Sequence, residues 1–376
     1  MYWSKAIKKS KLLEVLTGNM FAFIINFIRA TGNHKKISND FIVIIALRKL
    51  GDAVFTIPAI RQIQGVHKSK MLLICFPETE PIYRVALSNI DIKVLSHDSF
   101  YLKDRIAKLS ARRMIAKLQP GTIIDLTGVI TSATLILSSN AENIIGTNEK
   151  YFHALYSEYI DAPGNVHMVN QYLSIVKKHF SLPDDPSSEE FNIKIKQDGY
   201  ILIHPFAGWD AKEWNLPKFI SLAKQIGNDY KCLVVIPAGY LRKMQVDEID
   251  ISGLEIIEAK DVDELITVIK ECSLFISNDS GPLQIAALLG KPTFTIYGPT
   301  NPDFHLPFGD NHKYIQKAIE CSPKKGEKFC FTNAGRDGCP SFECMNLLPV
   351  EDVSVQVMEF IDSLKIEPKV KQVLNS

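Results

Sequence analysis

Charge of one sign is missing from this chain: 43 Lys and Arg stand against 42 Asp and Glu in 376 residues, a formal net charge of +1. No protein-wide field exists to gather nucleic acid, so no nucleic-acid partner is expected and any polyanion contact must be local. Long apolar runs are missing as well. The stretch Met20 to Ile28 (MFAFIINFI) is nine residues long with Asn26 inside it, against the roughly 20 needed to cross a bilayer. Glu14 and Arg29 bracket it and no small-residue cleavage site stands out, so it does not read as a signal peptide. No G-x-G-x-x-G follows the first strand-like run, and dinucleotide binding there is not indicated. The seven cysteines include no C-x2-C pair; the last four, Cys321, Cys330, Cys339 and Cys344, are spaced x8, x8 and x4. That pattern lacks the knuckles of a structural zinc site and leaves metal binding open, while the lack of an export signal implies a cytoplasmic protein with reduced thiols.

The composition, 46% hydrophobic and 23% charged, is that of a soluble globular protein, and the length favours two cores over one. One local imbalance is plain. In the first 36 residues Lys5, Lys8, Lys9, Lys11, Arg29, Lys35 and Lys36 face the single acid Glu14. Residues 1–40 therefore read as a basic amphipathic extension, either a helix lying in the interface of an anionic membrane or one packed on the body of the protein.

From residue 41 the chain alternates apolar, β-branched runs with segments long enough for crossover helices. The runs are Phe41 to Leu47, Met71 to Phe76, Ile92 to Leu95, Thr122 to Leu126 and Asn143 to Gly146. Continuous apolar runs suit strands buried on both faces of a parallel sheet. The segment Leu102 to Leu118 reads as one crossover helix, with Leu102, Ile106 and Leu109 on a stripe. Lys103, Arg105, Lys108, Arg112, Arg113 and Lys117 form its remainder, a solvated face or a wall for an anionic acceptor. Residues 181–198, rich in Pro, Ser and acids, read as a linker between a domain of residues 41–180 and one of residues 199–346, with a helix and tail at 347–376. The second domain repeats the alternation through Ile201 to Pro205, Cys232 to Pro237, Leu254 to Glu258, Leu274 to Asn278 and Thr293 to Tyr297. Doubly wound sheets bind ligands beyond the carboxyl ends of their strands, so functional residues are expected just after these runs.

Three such places carry chemistry. After the first run comes Arg48-Lys49-Leu50-Gly51-Asp52, where Asp52 suits a helix cap. The second domain opens with His204-Pro205-Phe206-Ala207-Gly208, whose small residues let backbone amides approach a ligand, followed by Lys212 as a mobile charge for phosphate. Between a strand and a helix, Asp279-Ser280-Gly281-Pro282 supplies a capping side chain, an uncovered turn and a proline suited to the first turn. Such a helix N-terminus is an anion site by geometry and dipole, and also serves as an ordinary connection.

The strings LRKLGDAVFTIPAIRQI, IHPFAGWDAKEWNLPKFISLAKQI and SNDSGPLQIAALLGKPTFTIYGPTNPDFHLPFG, with the Cys321 to Cys344 tail, resemble glycosyltransferase family 9, the ADP-heptose:lipopolysaccharide heptosyltransferases, over about residues 41–362. The resemblance implies an α/β protein of GT-B fold, two Rossmann-like doubly wound domains facing across a cleft, and an inverting transfer without cofactor or metal. ADP-heptose or a similar nucleotide sugar would be the donor and a lipid A-core type glycolipid the acceptor. It implies Asp52 as base, Lys212 on the donor phosphate, and Asp279, Ser280 and Gly281 at the diphosphate, with His204, Ala207, Pro282 and Gln284 in the same donor-side strings. Arg48, Lys49, Lys108 and Arg112 are the acceptor-side candidates. Two positions depart from the family pattern. Gln284 stands where a histidine is common, and residues 239–245 (GYLRKMQ) lack the acid that meets the donor ribose. A GT-B-like sugar-nucleotide epimerase and a non-catalytic nucleotide-sugar-binding protein are the competing readings.

Overall fold

The computed structural model describes Met20, residues 36–182, 196–247 and 249–330, Cys339 and residues 341–369. The basic amino-terminal extension, apart from Met20 and its last residues, and most of the 181–198 linker lie outside the described residues. Two compact units divide the chain.

The first unit is a six-stranded parallel sheet in the order β3-β2-β1-β6-β7-β8. Its strands are β1 (Ile42–Ile45), β2 (Met71–Cys75), β3 (Asp91–Val94), β6 (Thr122–Asp125), β7 (Asn143–Gly146) and β8 (Glu158–Tyr159). Ile45 of β1 sits beside Ile74 on one side and Asp125 on the other, and β1 is buried along its whole length, as its apolar run demands. Helices α1 (Leu50–Val66), α2 (Glu80–Ala86), α3 (Leu109–Leu118), α4 (Ile130–Ile136) and α5 (Met168–Phe180) connect or flank the strands.

One element differs from the sequence expectation. Leu102 to Leu118 is not a single helix: α3 starts at Leu109, and the preceding residues form a hairpin of β4 (Phe100–Tyr101) and β5 (Ile106–Ala107). Leu102, Lys103 and Asp104 all take positive φ, which a right-handed helix excludes. Tertiary hydrogen bonds favour the turn: Thr131 Oγ1 donates to the Asp104 carbonyl at 2.6 Å, the Ala107 amide donates to Thr134 Oγ1 at 3.0 Å, and His97 Nδ1 meets Asp104 Oδ2 at 2.8 Å. Leu102 consequently points to solvent instead of lining a buried stripe.

The second unit repeats the architecture in the order β11-β10-β9-β12-β13-β14, all parallel. Its strands are β9 (Tyr200–His204), β10 (Cys232–Pro237), β11 (Glu255–Ala259), β12 (Cys272–Asn278), β13 (Thr293–Tyr297) and β14 (His312–Gln316). Helices α6 (Leu216–Gly227), α7 (Tyr240–Val246), α8 (Val262–Lys270), α9 (Gly281–Leu288), α10 (Pro302–His305), α11 (Glu343–Asn346) and α12 (Val350–Leu364) accompany them. Both sheets have the strand order of a doubly wound Rossmann-like fold. Caps fix helix starts: Asn215 accepts from the Lys218 amide and Asp261 from the Glu264 amide. The core of this unit packs Trp214, Phe219, Phe294 and Phe360 between sheet and helices. The unit also includes Leu50–Val54 and Asn165–Met168. Among the described residues no helix is long and apolar enough to cross a membrane.

Three buried histidines of this unit, His167, His204 and His312, are pushed down to about 4 by burial. Unfolded, each binds a proton near its ordinary value of roughly 6.5. The unfolded chain therefore binds more protons between about pH 6.5 and 4. Stability is full above that window and lost as pH falls through it, at roughly 1.4 kcal/mol per pH unit per histidine. Urea midpoints should drop clearly between neutral pH and about pH 5, and equal midpoints would show that these rings are not held neutral.

Candidate functional site

The site grows from the carboxyl ends of β9, β12 and β13 in the second unit. Asn278, the last residue of β12, ties down both ends of the loop that leaves β9: its Nδ2 donates to the Pro205 carbonyl at 2.8 Å and its Oδ1 accepts from the Trp214 amide at 2.9 Å. Trp214 is fully buried and its Nε1 donates to the Leu348 carbonyl. Within this clamped loop a short 3-10 turn, Asp210–Lys212, aims Lys212 inward.

Lys212 Nζ lies 2.5 Å from Asp279 Oδ2 and 4.6 Å from the centroid of the Trp209 ring. The pair is largely buried, with side-chain exposures of 13% for Lys212 and 7% for Asp279. Thr300 Oγ1, beyond the end of β13, donates to the same carboxylate oxygen at 2.8 Å. Burial alone would raise the Asp279 carboxyl, but Lys212, His305 and Thr300 outweigh it and hold the group below the usual carboxylate range. Asp279 is thus an anion paired with the Lys212 ammonium. Ser280 caps α9, accepting from the Leu283 amide at 3.4 Å, and Gly281 and Pro282 form its first turn.

Glycine at 281 has a second reason. A Cβ there would stand 2.8 Å from Leu50 Cβ and 3.3 Å from the Gly51 amide nitrogen, and a Cβ on Gly51 would stand 3.4 Å from Gly281 Cα. Two helix starts, those of α1 and α9, meet through a pair of glycines, and the next residue on α1 is Asp52. It is half-buried and occupies the first turn, the cap position itself belonging to Lys49, so Asp52 is not the helix cap that its string suggested. Its charge is felt by His305 and by Lys328, while burial lowers both groups.

The other predicted residues are placed differently. Gln284 is buried and donates Nε2 to the His305 carbonyl at 2.7 Å, fastening α9 to α10. The Ala207 amide is already bonded to Glu213 Oε1 at 2.9 Å. His204 is packed between the rings of Phe206 and Phe275. In the first unit, Arg48 donates Nε to the Leu126 carbonyl at 2.9 Å and stacks over Tyr172, and Lys49 is exposed. Lys108 is the N-cap position of α3 and Arg112 lies within that helix, Lys108 over the Tyr101 ring and Arg112 donating to Ser138 Oγ at 2.8 Å. Sequence reasoning missed Thr300, His305 and Lys328. Thr300 had a signal, since Gly298-Pro299-Thr300 follows a strand; the other two are brought in only by tertiary folding. It also found no acid beside the β10 loop, yet Glu258 of the neighbouring strand reaches it, accepting from the Leu241 amide at 3.0 Å.

The family model for glycosyltransferase family 9 (heptosyltransferase) matches residues 110–334, more than half of the chain. The chain belongs to glycosyltransferase family 9. It is an enzyme of the glycosyltransferase class, and its two Rossmann-like units are those of the GT-B fold. Lipopolysaccharide heptosyltransferase 1 of Campylobacter coli is 26% identical to this family 9 enzyme over 290 residues, 69% of this chain and 82% of that protein. Among solved structures, the E. coli ADP-heptose LPS heptosyltransferase II aligns with a TM-score of 0.66 at 16% identity, covering 86% of this chain and 98% of that one. The E. coli heptosyltransferase WaaC with ADP aligns at 0.62 and 16%, covering 85% and 99%.

Proposed function

We propose that this family 9 enzyme moves a heptose, or a closely related sugar, from ADP-heptose or a similar nucleotide sugar onto the inner core of lipopolysaccharide, with inversion. The observation that carries the reading is the buried Lys212–Asp279–Thr300 cluster at the start of α9, with Asp52 on the adjoining helix start. Relatives that act on lipopolysaccharide, and a structural neighbour that binds ADP, support it.

In the proposed step the acceptor oxygen attacks the anomeric carbon while its proton passes to the Asp52 carboxylate. The bond from that carbon to the β-phosphate oxygen breaks, and its electron pair leaves with the diphosphate. Lys212 Nζ and the amides at the start of α9 stabilise this charge. Asp279, itself an anion, would repel a diphosphate; it acts by holding Lys212 in place. Glu258 is the acid proposed to meet the donor ribose beside the β10 loop.

The donor is tested by thermal stabilisation of the purified enzyme, since a ligand that binds only the native state raises its apparent stability. ADP should shift the melting temperature more than UDP or GDP at equal concentration. A larger shift with UDP would replace the adenine donor.

Membrane contact is proposed to involve the β4–β5 hairpin and α3. Tyr101, Leu102 and Leu109 are 58%, 69% and 52% exposed, amid Lys103, Arg105, Lys108, Arg112, Arg113 and Lys117. Apolar side chains ringed by bases suit an anionic bilayer surface. The Leu102→Ser, Leu109→Ser double variant should sediment markedly less with phosphatidylglycerol vesicles, and neither form with phosphatidylcholine alone. Equal sedimentation of variant and parent would remove the hairpin from the contact.

A further inference from the structure

The Asp279 carboxylate has an acceptor oxygen to spare, and a side chain on the neighbouring strand has a donor to spare. In the register of β12 on β13, Asn278 stands opposite Ile296, so the next residue, Asp279, follows beside Tyr297, the last residue of β13. Paired residues of adjacent parallel strands point to the same face, with the strands about 4.8 Å apart. Tyr297 is fully buried, and among the described residues its hydroxyl has no hydrogen-bond partner. Its ring packs edge-on against Tyr314 of β14, at 5.7 Å between centroids, a contact that leaves the hydroxyl unused. Burial and the nearby Asp279 charge push this hydroxyl well above its ordinary value, so it stays a neutral O–H donor at any working pH. On the carboxylate, Lys212 Nζ and Thr300 Oγ1 both bond Oδ2, and among the described residues no group donates to Oδ1.

A buried hydroxyl without an acceptor costs stability, and such a group in a folded protein calls for an explanation. The donor-bound state supplies one. On the reading that Lys212 clamps the donor diphosphate, its ammonium turns part of its N–H bonds and its charge from Asp279 toward the phosphates. The carboxylate then lies buried with its compensation weakened, and a buried charge short of partners is strongly destabilising.

We propose that Tyr297 is a positioning residue: its hydroxyl donates to Asp279 Oδ1 as Lys212 engages a nucleoside diphosphate, and so keeps Asp279 in place beneath the ammonium. Thr300 holds Oδ2 throughout. The inference rests on the Lys212 reading and deepens it, giving Asp279 a further donor that is used only in the bound state.

The test compares the full-length parent with Tyr297→Phe, Lys212→Ala and Asp279→Asn by thermal melting and by calorimetric titration with ADP. Phenylalanine fills the same space, so free Tyr297→Phe should melt at the parent temperature or slightly above it. Its ADP affinity should fall about 10-fold, the equivalent of one hydrogen bond to a charged group. In the Asp279→Asn background the same change should cost no further affinity. A second readout is direct: with tyrosine carrying ¹³C at Cζ, the resonance missing from Tyr297→Phe should move downfield when ADP is added to the parent. Should Asp279→Asn fail to fold, that resonance decides. Weaker ADP binding by Lys212→Ala beside unaltered binding by Tyr297→Phe would remove Tyr297 and leave the donor clamp standing. Unaltered binding by Lys212→Ala would remove the clamp and this role together. A lower melting temperature for free Tyr297→Phe would show the hydroxyl already bonded without donor, and an equal loss of affinity in both backgrounds would make it a direct ligand contact. Either result overturns the proposal, as does a Cζ resonance that bound ADP leaves unmoved.

Discussion

Replacing Asp52 with asparagine should lower turnover on the order of 10²-fold or more, the usual worth of a positioned general base, while leaving the fold and donor affinity unchanged. Asparagine keeps the shape of the side chain in the first turn of α1 and removes only its capacity to take a proton. The carboxylate also interacts favourably with the helix start, a contribution of about 0.3–1 kcal/mol, so the melting temperature should change little. Because the glycine pair at 51 and 281 fixes this turn against α9, a change in kcat without a change in nucleotide binding would separate proton transfer from positioning. Equal turnover of variant and parent would remove Asp52 as the base.

Lys212→Ala should do more damage, of a different kind. Lys212 and Asp279 form a buried pair, and removing one partner of such a pair costs about 3–5 kcal/mol because the other charge is left uncompensated. Thr300 remains bonded to Asp279 and offsets part of that loss. In the variant, burial would raise the Asp279 carboxyl, so the stability defect should shrink at acid pH as that group protonates. ADP affinity should fall about 10- to 100-fold, the equivalent of one charge-assisted hydrogen bond of about 1.5–3 kcal/mol. Calorimetric titration with ADP, beside thermal melting, measures both effects. Unaltered ADP affinity in a folded variant would remove Lys212 from the donor clamp.

Much of this arrangement is legible in the chain because local chemistry and tertiary structure agree there. β1, β2, β6, β9, β10 and β12 are apolar runs that have only a buried parallel strand as a use, and the turns after β9 and β12 carry the small and capping residues that mark ligand-facing strand ends. A cap at Asp279 or Ser280 could be read from Asp-Ser-Gly-Pro before an apolar helix, and the structure gives it to Ser280. The hairpin at residues 100–107 could not. Its leucine and isoleucine spacing suits a helix, and the competing bonds come from Thr131 and Thr134, 27 residues away in each case. The Lys212–Asp279 pair spans 67 residues, and neither string names its partner. The service that Gly281 performs for Leu50 and Gly51 is visible only once both helix starts are in place. Gln284, read as a donor-side group, turns out to spend its amide on the His305 carbonyl, a role that its position in a strand-turn-helix string does not reveal.

In the proposed mechanism a base on α1 and a cation held by Asp279 together transfer a sugar to an acceptor hydroxyl. The most direct measurement is ADP release from ADP-heptose with and without lipopolysaccharide truncated before its first heptose or, in a second arm, before its second, with the lipid product weighed by mass spectrometry. ADP should be released only when acceptor is present, with a lipid product heavier by one heptose unit. Acceptor-independent release of nucleoside diphosphate, with conversion of the sugar and an unchanged lipid mass, would contradict it.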